Sequence, residues 1–470
     1  MSVDKSSRAE EAEPGAEDGR SAAAGKGPAA ASAAERKREQ RGWYFYDFAV
    51  SVYSASVLTV FLGPYLTSVA KAAADAEGFV HPLGIPVRAG SFFAYSVSAS
   101  VILAVLLMPI AGAVADRTGR KKPLLAVAAY TGAAATTAMF LLGGERYLLG
   151  GFLLVVANAS LSVSMVLYNA YLPQISTPDE RDSVSSRGWA FGYTAGSLML
   201  VMNLALYLGH DAFGVSEGMA VRICLASAGL WWGAFALIPL RRLRDRAVVR
   251  EPGAAPAVSG WRQLVATFKD MRRYPLTLSF LLAYLIYNDG VQTVISQASI
   301  YGSEELELEQ GTLIGAVLLV QVLAVGGALG MGRLARIYGA KRTILGSLAA
   351  WAVTLGVGYF LPARTPVWFF ALAAMIGLVL GGSQALSRSL FSHLVPAGKE
   401  AEYFSAYEMS DRGLSWVGSL VFGLTYQVTG SYRDAIISLV AFFALGFLLL
   451  ARVPVRRAVE AAGNPVPERI

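Results

Sequence analysis

Polar side chains recur along one side of an apolar segment between residues 275 and 301. On an α-helix, at about 100° per residue, they fall within one arc of roughly 140°. These side chains are Tyr284, Asn288, Asp289, Gln292, Ser296 and Ser299. Amides and hydroxyls on one face suit a zwitterionic or polyhydroxy ligand, which needs many hydrogen bonds and little net charge. The alternative is hydrogen bonding between helices that only holds a bundle together.

Two other apolar segments carry polar residues on one face. Asn158 and Asn169 share a narrow arc in the fourth such segment, and Gln384 and Arg388 share a face in the tenth. Polar groups are costly in hydrocarbon, so their presence there indicates function. The candidate ligand pathway combines these four residues with four from the segment described first: Tyr284, Asn288, Asp289 and Gln292.

Two acidic residues are candidates for coupling to protons. Asp289 lies about 14 residues into its segment, near the middle of a helix long enough to cross a membrane. An acid at this depth suits a residue that takes up and releases a proton, and a fixed hydrogen-bonding role beside Asn288 is the alternative. Asp47 lies in the first two turns of the first predicted span, where a helix N-terminus stabilises a carboxylate. We favour a structural or gating role there, with proton coupling as the alternative.

The composition indicates the elements that position these residues. The chain has 470 residues, of which 55% are hydrophobic and only 16% charged, against roughly 25% charged in soluble domains. The apolar residues form about twelve blocks, each long enough to cross a bilayer as a helix. The predicted spans are 43–69, 91–115, 123–142, 147–171, 187–208, 219–240, 275–301, 311–335, 343–361, 366–388, 403–428 and 434–452.

The net charge of +7 lies mostly in short loops between these blocks. Such a distribution is typical of membrane topology and argues against nucleic acid as a partner. Lysine and arginine alternate between loops so that both termini and the 241–274 linker are expected in the cytoplasm. Cys224 is the single cysteine and the three histidines are far apart in sequence, so we expect no disulfide, metal site or cofactor. With no nucleophile–base pair and no ATP-binding Walker motif in the sequence, we expect no enzyme.

A loop rich in glycine and basic residues occurs twice. GAVADRTGRKK begins at Gly112, and GRLARIYGAKR begins at Gly332. Three identities, beginning with this glycine pair, are each separated by 220 positions. Arg336 stands in the second copy where Asp116 stands in the first. Because internal repeats at one offset indicate duplicated bundles, we expect two related halves, although glycine and basic residues also recur by chance in such loops.

The expected organisation follows from the repeat and the spans. It comprises a disordered cytoplasmic tail (1–41), a six-helix bundle (42–240), a cytoplasmic linker (241–274), a second six-helix bundle (275–455) and a cytoplasmic tail (456–470). Glycine pairs spaced by four also predict close helix crossings within the bundles. These pairs are Gly192 and Gly196, Gly326 and Gly330, and Gly377 and Gly381.

The first loop resembles the signature loop of the major facilitator superfamily. The matching residues are Gly112, Asp116, Arg117, Gly119 and Arg120. Longer segments resemble the bacterial relatives of the autophagy-related vacuolar effluxers, whose fungal members are associated with amino-acid export from the vacuole. Those segments are RGWYFYDFAVSVYSASVLTVFLGPY, YNAYLPQISTPDERDSVSSRGWAFGYTAGSLML, YNDGVQTVISQASIYG and GGSQALSRSLFSHLVPAGKEAEYFSAYEMSDRGLSWVGSLVFG.

This resemblance implies an all-α polytopic membrane protein of the major facilitator fold, with twelve transmembrane helices in two pseudo-symmetric bundles. It implies a secondary active transporter that works by alternating access in a bacterial plasma membrane. A small polar solute is the expected partner besides the lipid bilayer, with amino-acid efflux as the suggested example and protons as the candidate coupling ion. A multidrug or sugar transporter is the alternative, and a non-transporting receptor or scaffold is the alternative outside this class.

The resemblance also assigns a gating role to the first loop. In that superfamily, the carboxylate at Asp116 meets the N-terminus of span eleven, here near Tyr403, and bridges the halves in the outward-facing state. Asp411 and Arg412 are expected to join this network. Lys121 and Lys122 are expected only to set topology, because anionic lipid headgroups favour them.

Overall fold

The computed structural model describes residues 32–246, 260–412 and 417–469. Most of the predicted tail (1–31) and part of the predicted linker (247–259) lie outside the described residues. The first helix starts earlier than the predicted span, at Ala33, because Ser32 and Glu35 form a reciprocal capping box. The last residues of the predicted tail are therefore helical.

The described residues of the first half contain eight α-helices. Helix α1 continues through a π-helical segment (Tyr53–Phe61) into α2, so that together they form one long span. A short antiparallel hairpin follows, in which β1 (Phe79–Val80) pairs with β2 (Val87–Arg88). The helices of this half are α1 (Ala33–Val52), α2 (Leu62–Ala72), α3 (Phe92–Thr118), α4 (Lys121–Ala138), α5 (Tyr147–Asn169), α6 (Leu172–Ile175), α7 (Arg181–Leu208) and α8 (Glu217–Arg242).

The rest of the chain contains a linker helix and the second half. The linker helix is α9 (Gly260–Met271). The helices of the second half are α10 (Pro275–Ile300), α11 (Gln310–Tyr338), α12 (Ala340–Tyr359), α13 (Pro366–His393), α14 (Glu400–Arg412), α15 (Val417–Thr429), α16 (Tyr432–Ser438), α17 (Val440–Arg452) and α18 (Val455–Ala461).

Among the described residues, each predicted span is mostly helical. Among the described residues, ten helical segments are long and apolar enough to cross a membrane. Two further predicted spans correspond to α12 and to the pair α14 and α15, which are not among those ten. The architecture is the all-α major facilitator fold, and the described helices are consistent with twelve crossings.

Glycines set several close helix contacts. A Cβ at Gly377 would lie 2.7 Å from the backbone oxygen of Val320, and a Cβ at Gly381 would overlap Ala324. This part of α13 therefore needs glycine to approach α11, as the spacing predicts. The prediction for Gly326 and Gly330 is wrong, because neither has a neighbouring atom within 4 Å of its Cβ position.

One end of the bundle carries the described ends of the chain, and we call it the terminal face. The loops there are tied together by hydrogen bonds. Asp245 accepts hydrogen bonds from the Tyr171 hydroxyl at 2.7 Å and from the Lys122 N–H at 2.9 Å. The Glu468 N–H donates to Asp179 Oδ1 at 2.9 Å, so the C-terminal residues also contact the first half.

Candidate functional site

Arg388 of the second half forms a buried ion pair with Asp47 of the first half. Both terminal nitrogens of Arg388 lie 3.2 Å from Asp47 Oδ2. Its Nε donates to Ser185 Oγ at 2.9 Å, and one terminal nitrogen donates to the Ser185 carbonyl at 2.9 Å. Arg388 is 1% exposed and Asp47 is 4% exposed. Because α1 begins at Ala33, Asp47 lies in the middle of its helix, and the prediction that a helix N-terminus stabilises it is wrong.

Three aromatic rings of the first half surround the Arg388 guanidinium. Its central carbon lies 4.7 Å from the Trp43 ring, 5.3 Å from Trp189 and 5.6 Å from Tyr168. The Tyr168 hydroxyl donates to Asp47 Oδ2 at 2.7 Å. The three rings make cation–π contacts with the guanidinium. Together with the ion pair, these contacts compensate the cost of burying its charge.

The sequence patterns did not predict a functional role for these aromatic residues. A signal was present, since Trp43 precedes Asp47 by four positions and so shares its helix face. Gly188 allows α7 to approach Trp43 and Asp47 of α1 closely. A Cβ at this position would lie 2.6 Å from the Trp43 ring and 2.7 Å from Asp47 Oδ2.

Asn169 connects the Arg388 site to α14. Its Oδ1 accepts a hydrogen bond from Arg388 at 3.3 Å, and its Nδ2 donates to Glu408 Oε1 at 2.6 Å. Glu408 in turn lies 3.3 Å from Arg412 Nε. Glu408 is 3% exposed and was also missed from the sequence, although it is an acid within a predicted span.

The candidate residues of α10 and α13 meet around Asp411. The Tyr284 hydroxyl donates to Asp411 Oδ1 at 3.1 Å, and Asn288 Nδ2 donates to the same oxygen at 2.8 Å. Gln384 Nε2 donates to Asn288 Oδ1 at 2.7 Å. Asp411 was expected beside Asp116 at the terminal face. That expectation is wrong, because Asp411 lies at the other end of α14.

A cavity of about 430 Å³ lies between the halves. Its wall contains side chains from both, and the charged ones are Asp47, Asp411 and Arg412. Among the predicted pathway residues, Asn158 and Gln292 line it directly. Asn158 also donates to Ser100 Oγ at 2.7 Å, which orients its amide.

A second cavity of about 260 Å³ adjoins the first on the side of the second half. The two share Trp189, Tyr193, Gln292, Gln321 and Asp411, together with Thr59, so they form two lobes of one space. Gln384 lines the second lobe, whose other walls are mostly aliphatic and aromatic. We call the first the polar lobe and the second the apolar lobe.

Asp289 lies apart from these lobes. Its Oδ2 accepts a hydrogen bond from the Gly418 N–H at 2.8 Å, at the start of α15. Its Oδ1 is buried and has no hydrogen-bond partner among the described residues. Asp289 is not among the described residues that line either lobe. Consecutive helical residues point about 100° apart, which is why Asn288 and Asp289 face different helices.

The first copy of the repeated loop contacts the second half at the terminal face. Asp116 Oδ2 accepts a hydrogen bond from the Glu402 N–H at 2.8 Å, in the first turn of α14. Lys121 lies 3.2 Å from Asp116 Oδ1 and 2.9 Å from Glu400. Lys121 is 4% exposed, so the interpretation that it only sets topology is wrong.

The other residues of this loop shape the contact. A Cβ at Gly112 would lie 2.6 Å from the Ala401 carbonyl oxygen, so α3 and α14 need glycine there. Gly119 ends α3 with a φ of 66°, a left-handed conformation that glycine adopts readily. Arg117 is partly buried, and Arg120 is exposed.

The second copy of the loop belongs to the second half and contacts a helix of the first half. A Cβ at Gly332 of α11 would overlap Ser186 of α7, in the first half. Each copy therefore places its leading glycine against a helix of the other half. The second copy has Arg336 in place of the acid. This side chain is exposed, and the Arg336 carbonyl accepts a hydrogen bond from Arg469 at 3.2 Å.

Within residues 32–246, 260–412 and 417–469, no group of three or more His, Cys, Asp and Glu side chains is placed to hold a metal ion. Several buried charges pair with one another, among them Asp47 with Arg388 and Lys121 with Asp116 and Glu400.

Comparison with solved structures supports the fold. The chain is similar to FucP, a major facilitator transporter in the outward conformation, with a TM-score of 0.64, 12% identity and coverage of 88% of this chain and 98% of that one. It is also similar to a bacterial homologue of ferroportin in the outward-facing state, with a TM-score of 0.62, 15% identity and coverage of 89% and 98%.

Comparison with sequences identifies the family. The chain is 28% identical to the uncharacterized MFS-type transporter YxiO of Bacillus subtilis, over 90% of this chain and 97% of the relative. It is 27% identical to autophagy-related protein 22 of Yarrowia lipolytica, over 79% of this chain and 75% of the relative. The model of the family described as "Vacuole effluxer Atg22 like" matches residues 35–463. The chain is therefore an integral membrane transporter of the major facilitator type and belongs to the Atg22-like vacuole effluxer family.

Proposed function

We propose that this chain is a secondary active transporter that moves a small zwitterionic solute, such as an amino acid, by alternating access. The observation that carries the proposal is the presence of both signs of charge in the polar lobe. Asp47 and Asp411 supply carboxylates, and Arg412 supplies a guanidinium. An amino acid presents one ammonium and one carboxylate, which charge-assisted hydrogen bonds to these groups would orient.

The apolar lobe supports a solute with an apolar part. Its wall includes Val294, Ile295, Leu313, Val317 and Phe369. Binding sites for small molecules commonly combine such walls with a few placed polar groups. The charged head would occupy the polar lobe, and the side chain would extend into the apolar lobe. The same wall also favours an amphipathic drug as the second candidate cargo.

The contacts between the halves support alternating access. Asp116 and Lys121 bind the start of α14, and Arg181 Nη1 donates to the Ser392 carbonyl at 3.0 Å. All of these contacts lie at the terminal face, which they close. Because the loops of this face carry the excess of lysine and arginine, we assign it to the cytoplasm of a bacterial plasma membrane, with both termini inside. In this assignment the structure is closed to the cytoplasm.

Transport by the purified full chain in proteoliposomes tests the proposal. We expect saturable uptake or exchange of labelled neutral amino acids, with protons as the candidate coupling ion when a pH gradient is imposed. The variant Arg412→Gln should raise the KM for amino acids, whereas Arg456→Gln, an exposed arginine outside the cavity, should not.

Three outcomes would contradict the proposal. Transport of amphipathic drugs but not amino acids would favour the second candidate. Uptake of sugars alone would also contradict the proposal, because an uncharged solute would not need the charged side chains of the polar lobe. A complete lack of transport, with solutes still binding to the folded protein, would favour a receptor or scaffold.

A further inference from the structure

We infer that the terminal face contains a binding site for the phosphate headgroup of an anionic membrane lipid, separate from the two-lobed cavity. The site is a third cavity of about 650 Å³ between α1, α7, the end of α8 and the end of α11. We call it the basic cavity. Its cationic lining residues are Lys37, Arg41, Arg187, Arg242 and Arg336.

The charge of this lining is unbalanced. Five cationic side chains face two acidic ones, Asp179 and Glu180. Both acids already have partners, since Glu180 lies 3.3 Å from Arg36 Nε and Asp179 accepts the Glu468 N–H. Between the described residues, no ion pair within 4.0 Å involves any of the five lining cations. An anion in the cavity would therefore meet several positive charges that no described carboxylate balances.

A buried hydroxyl also faces this space. Tyr44 lines the cavity and is 5% exposed, and its hydroxyl lies beside the guanidinium of Arg187, another lining residue. A phosphate oxygen would accept a hydrogen bond from this hydroxyl.

The wall beneath the charges is aromatic, which favours a lipid over a free anion. The Phe191 ring lies 5.5 Å from the Tyr44 ring and 5.6 Å from the Phe45 ring, and all three side chains line the cavity. A lipid would place its headgroup among the cations and its glycerol and upper acyl carbons on these rings. Basic clusters beside membrane-spanning helices attract anionic lipids through the same charge interaction.

The cavity joins the two halves. Lys37, Arg41, Arg187 and Arg242 belong to the first half, whereas Arg336 belongs to the second. An anion that contacts both sets would hold the halves together at the terminal face. Bound lipid would therefore favour the state in which this face is closed.

Native mass spectrometry of the full chain in detergent tests the binding site. The probes are phosphatidylglycerol, phosphatidylcholine and inorganic phosphate. We expect phosphatidylglycerol to bind in preference to phosphatidylcholine. The double variant Arg41→Gln with Arg187→Gln should weaken this binding roughly tenfold or more, the effect of removing two cations near a headgroup. The matched control is Arg456→Gln with Arg457→Gln, which removes two arginines from α18, outside the cavity.

The outcomes separate the possible ligands. Loss of phosphatidylglycerol binding in the cavity variant but not in the control would support the site. Equal loss in both variants, or loss in neither, would overturn it. Inorganic phosphate that binds as well as phosphatidylglycerol would overturn the assignment to lipid.

A second measurement tests whether the bound lipid holds the two halves together. Spin labels at Thr118→Cys and Ala397→Cys, in a Cys224→Ala background, report the distance between the halves at the terminal face. Vesicles of phosphatidylcholine with phosphatidylglycerol should shift this distance towards shorter values than phosphatidylcholine alone. Arg336→Gln should abolish the shift, and a shift of equal size in that variant would overturn the bridging role.

Discussion

Arg388 of α13 and Asp47 of α1 form an ion pair across the two halves, although 341 positions separate them in the chain. Trp43, Tyr168 and Trp189 enclose the guanidinium on the side of the first half. The pair lies beside the polar lobe, since Asp47 also lines that cavity. A solute that competed for Asp47 would therefore weaken a contact between the halves.

Removal of either charge of this pair should destabilise the protein. Asp47→Asn or Arg388→Gln leaves one buried charge without its partner, which typically costs about 3–5 kcal/mol. The double variant should be less destabilised than the sum of the single variants, because no uncompensated charge remains. Thermal unfolding of the four proteins in detergent measures this coupling.

A surface pair provides the control for that cycle. Arg364 and Glu307 also form an ion pair, but their side chains are 78% and 54% exposed. Exposed pairs contribute about 0–1 kcal/mol. Arg364→Gln and Glu307→Gln should therefore change the melting temperature little, and a coupling as large as that of Asp47 and Arg388 would contradict our account of burial.

Gly188→Ala should disturb the same site through packing alone. The added Cβ would lie 2.6 Å from the Trp43 ring and 3.0 Å from an Arg388 terminal nitrogen. Overpacking of this kind typically costs about 1–3 kcal/mol. The control is Gly326→Ala, where the Cβ meets no atom within 4 Å and helix propensity favours alanine by about 1 kcal/mol. Equal melting temperatures for the two variants would contradict the predicted crowding at Gly188.

Asp116→Ala should shift the protein towards the state that is open at the terminal face. The substitution removes the acceptor for the Glu402 N–H and the carboxylate near Lys121. Loss of a capping contact costs about 1 kcal/mol, which corresponds to a roughly fivefold shift in population. Ser186 is buried against Gly332 and should become accessible when this face opens. The alkylation rate of the variant Ser186→Cys, in a Cys224→Ala background, therefore measures the opening and should rise in Asp116→Ala.

The conservative variant separates charge from capping. Asp116→Asn keeps an oxygen for the Glu402 N–H but loses the attraction to Lys121. We expect an intermediate alkylation rate. If Asp116→Ala and the parent react at the same rate, the loop does not act as a gate.

Asp289→Asn should abolish proton-coupled flux and spare counterflow exchange. The buried Oδ1 has no partner among the described residues, as expected for a group that accepts a proton. The fixed hydrogen-bonding role makes a different prediction, because asparagine can still accept the Gly418 N–H through its amide oxygen. Coupled flux that persists in Asp289→Asn, with a loss of stability only in Asp289→Ala, would favour the fixed role.

Much of the fold follows from local patterns in the sequence. Apolar blocks of about 20 residues predict spans because the bilayer has a fixed thickness. The two copies of the loop predict two halves, and the structure places Gly112 and Gly332 in equivalent contacts between them. The 100° spacing of helical residues placed Asn288 and Gln384 on inward faces, and their side chains indeed contact each other.

The partners of several buried charges on distant helices were decided only by the tertiary structure. No local pattern indicates that Arg388 pairs with Asp47, that Lys121 pairs with Glu400, or that Asp411 lies beside Asn288. Each of these contacts joins helices far apart in the chain, and its geometry depends on how the helices rotate and pack. The sequence by itself determined which residues are polar within the membrane, because that depends on composition and spacing. Which of them neutralise each other, and which remain to face a solute, depends on the packing of one half against the other.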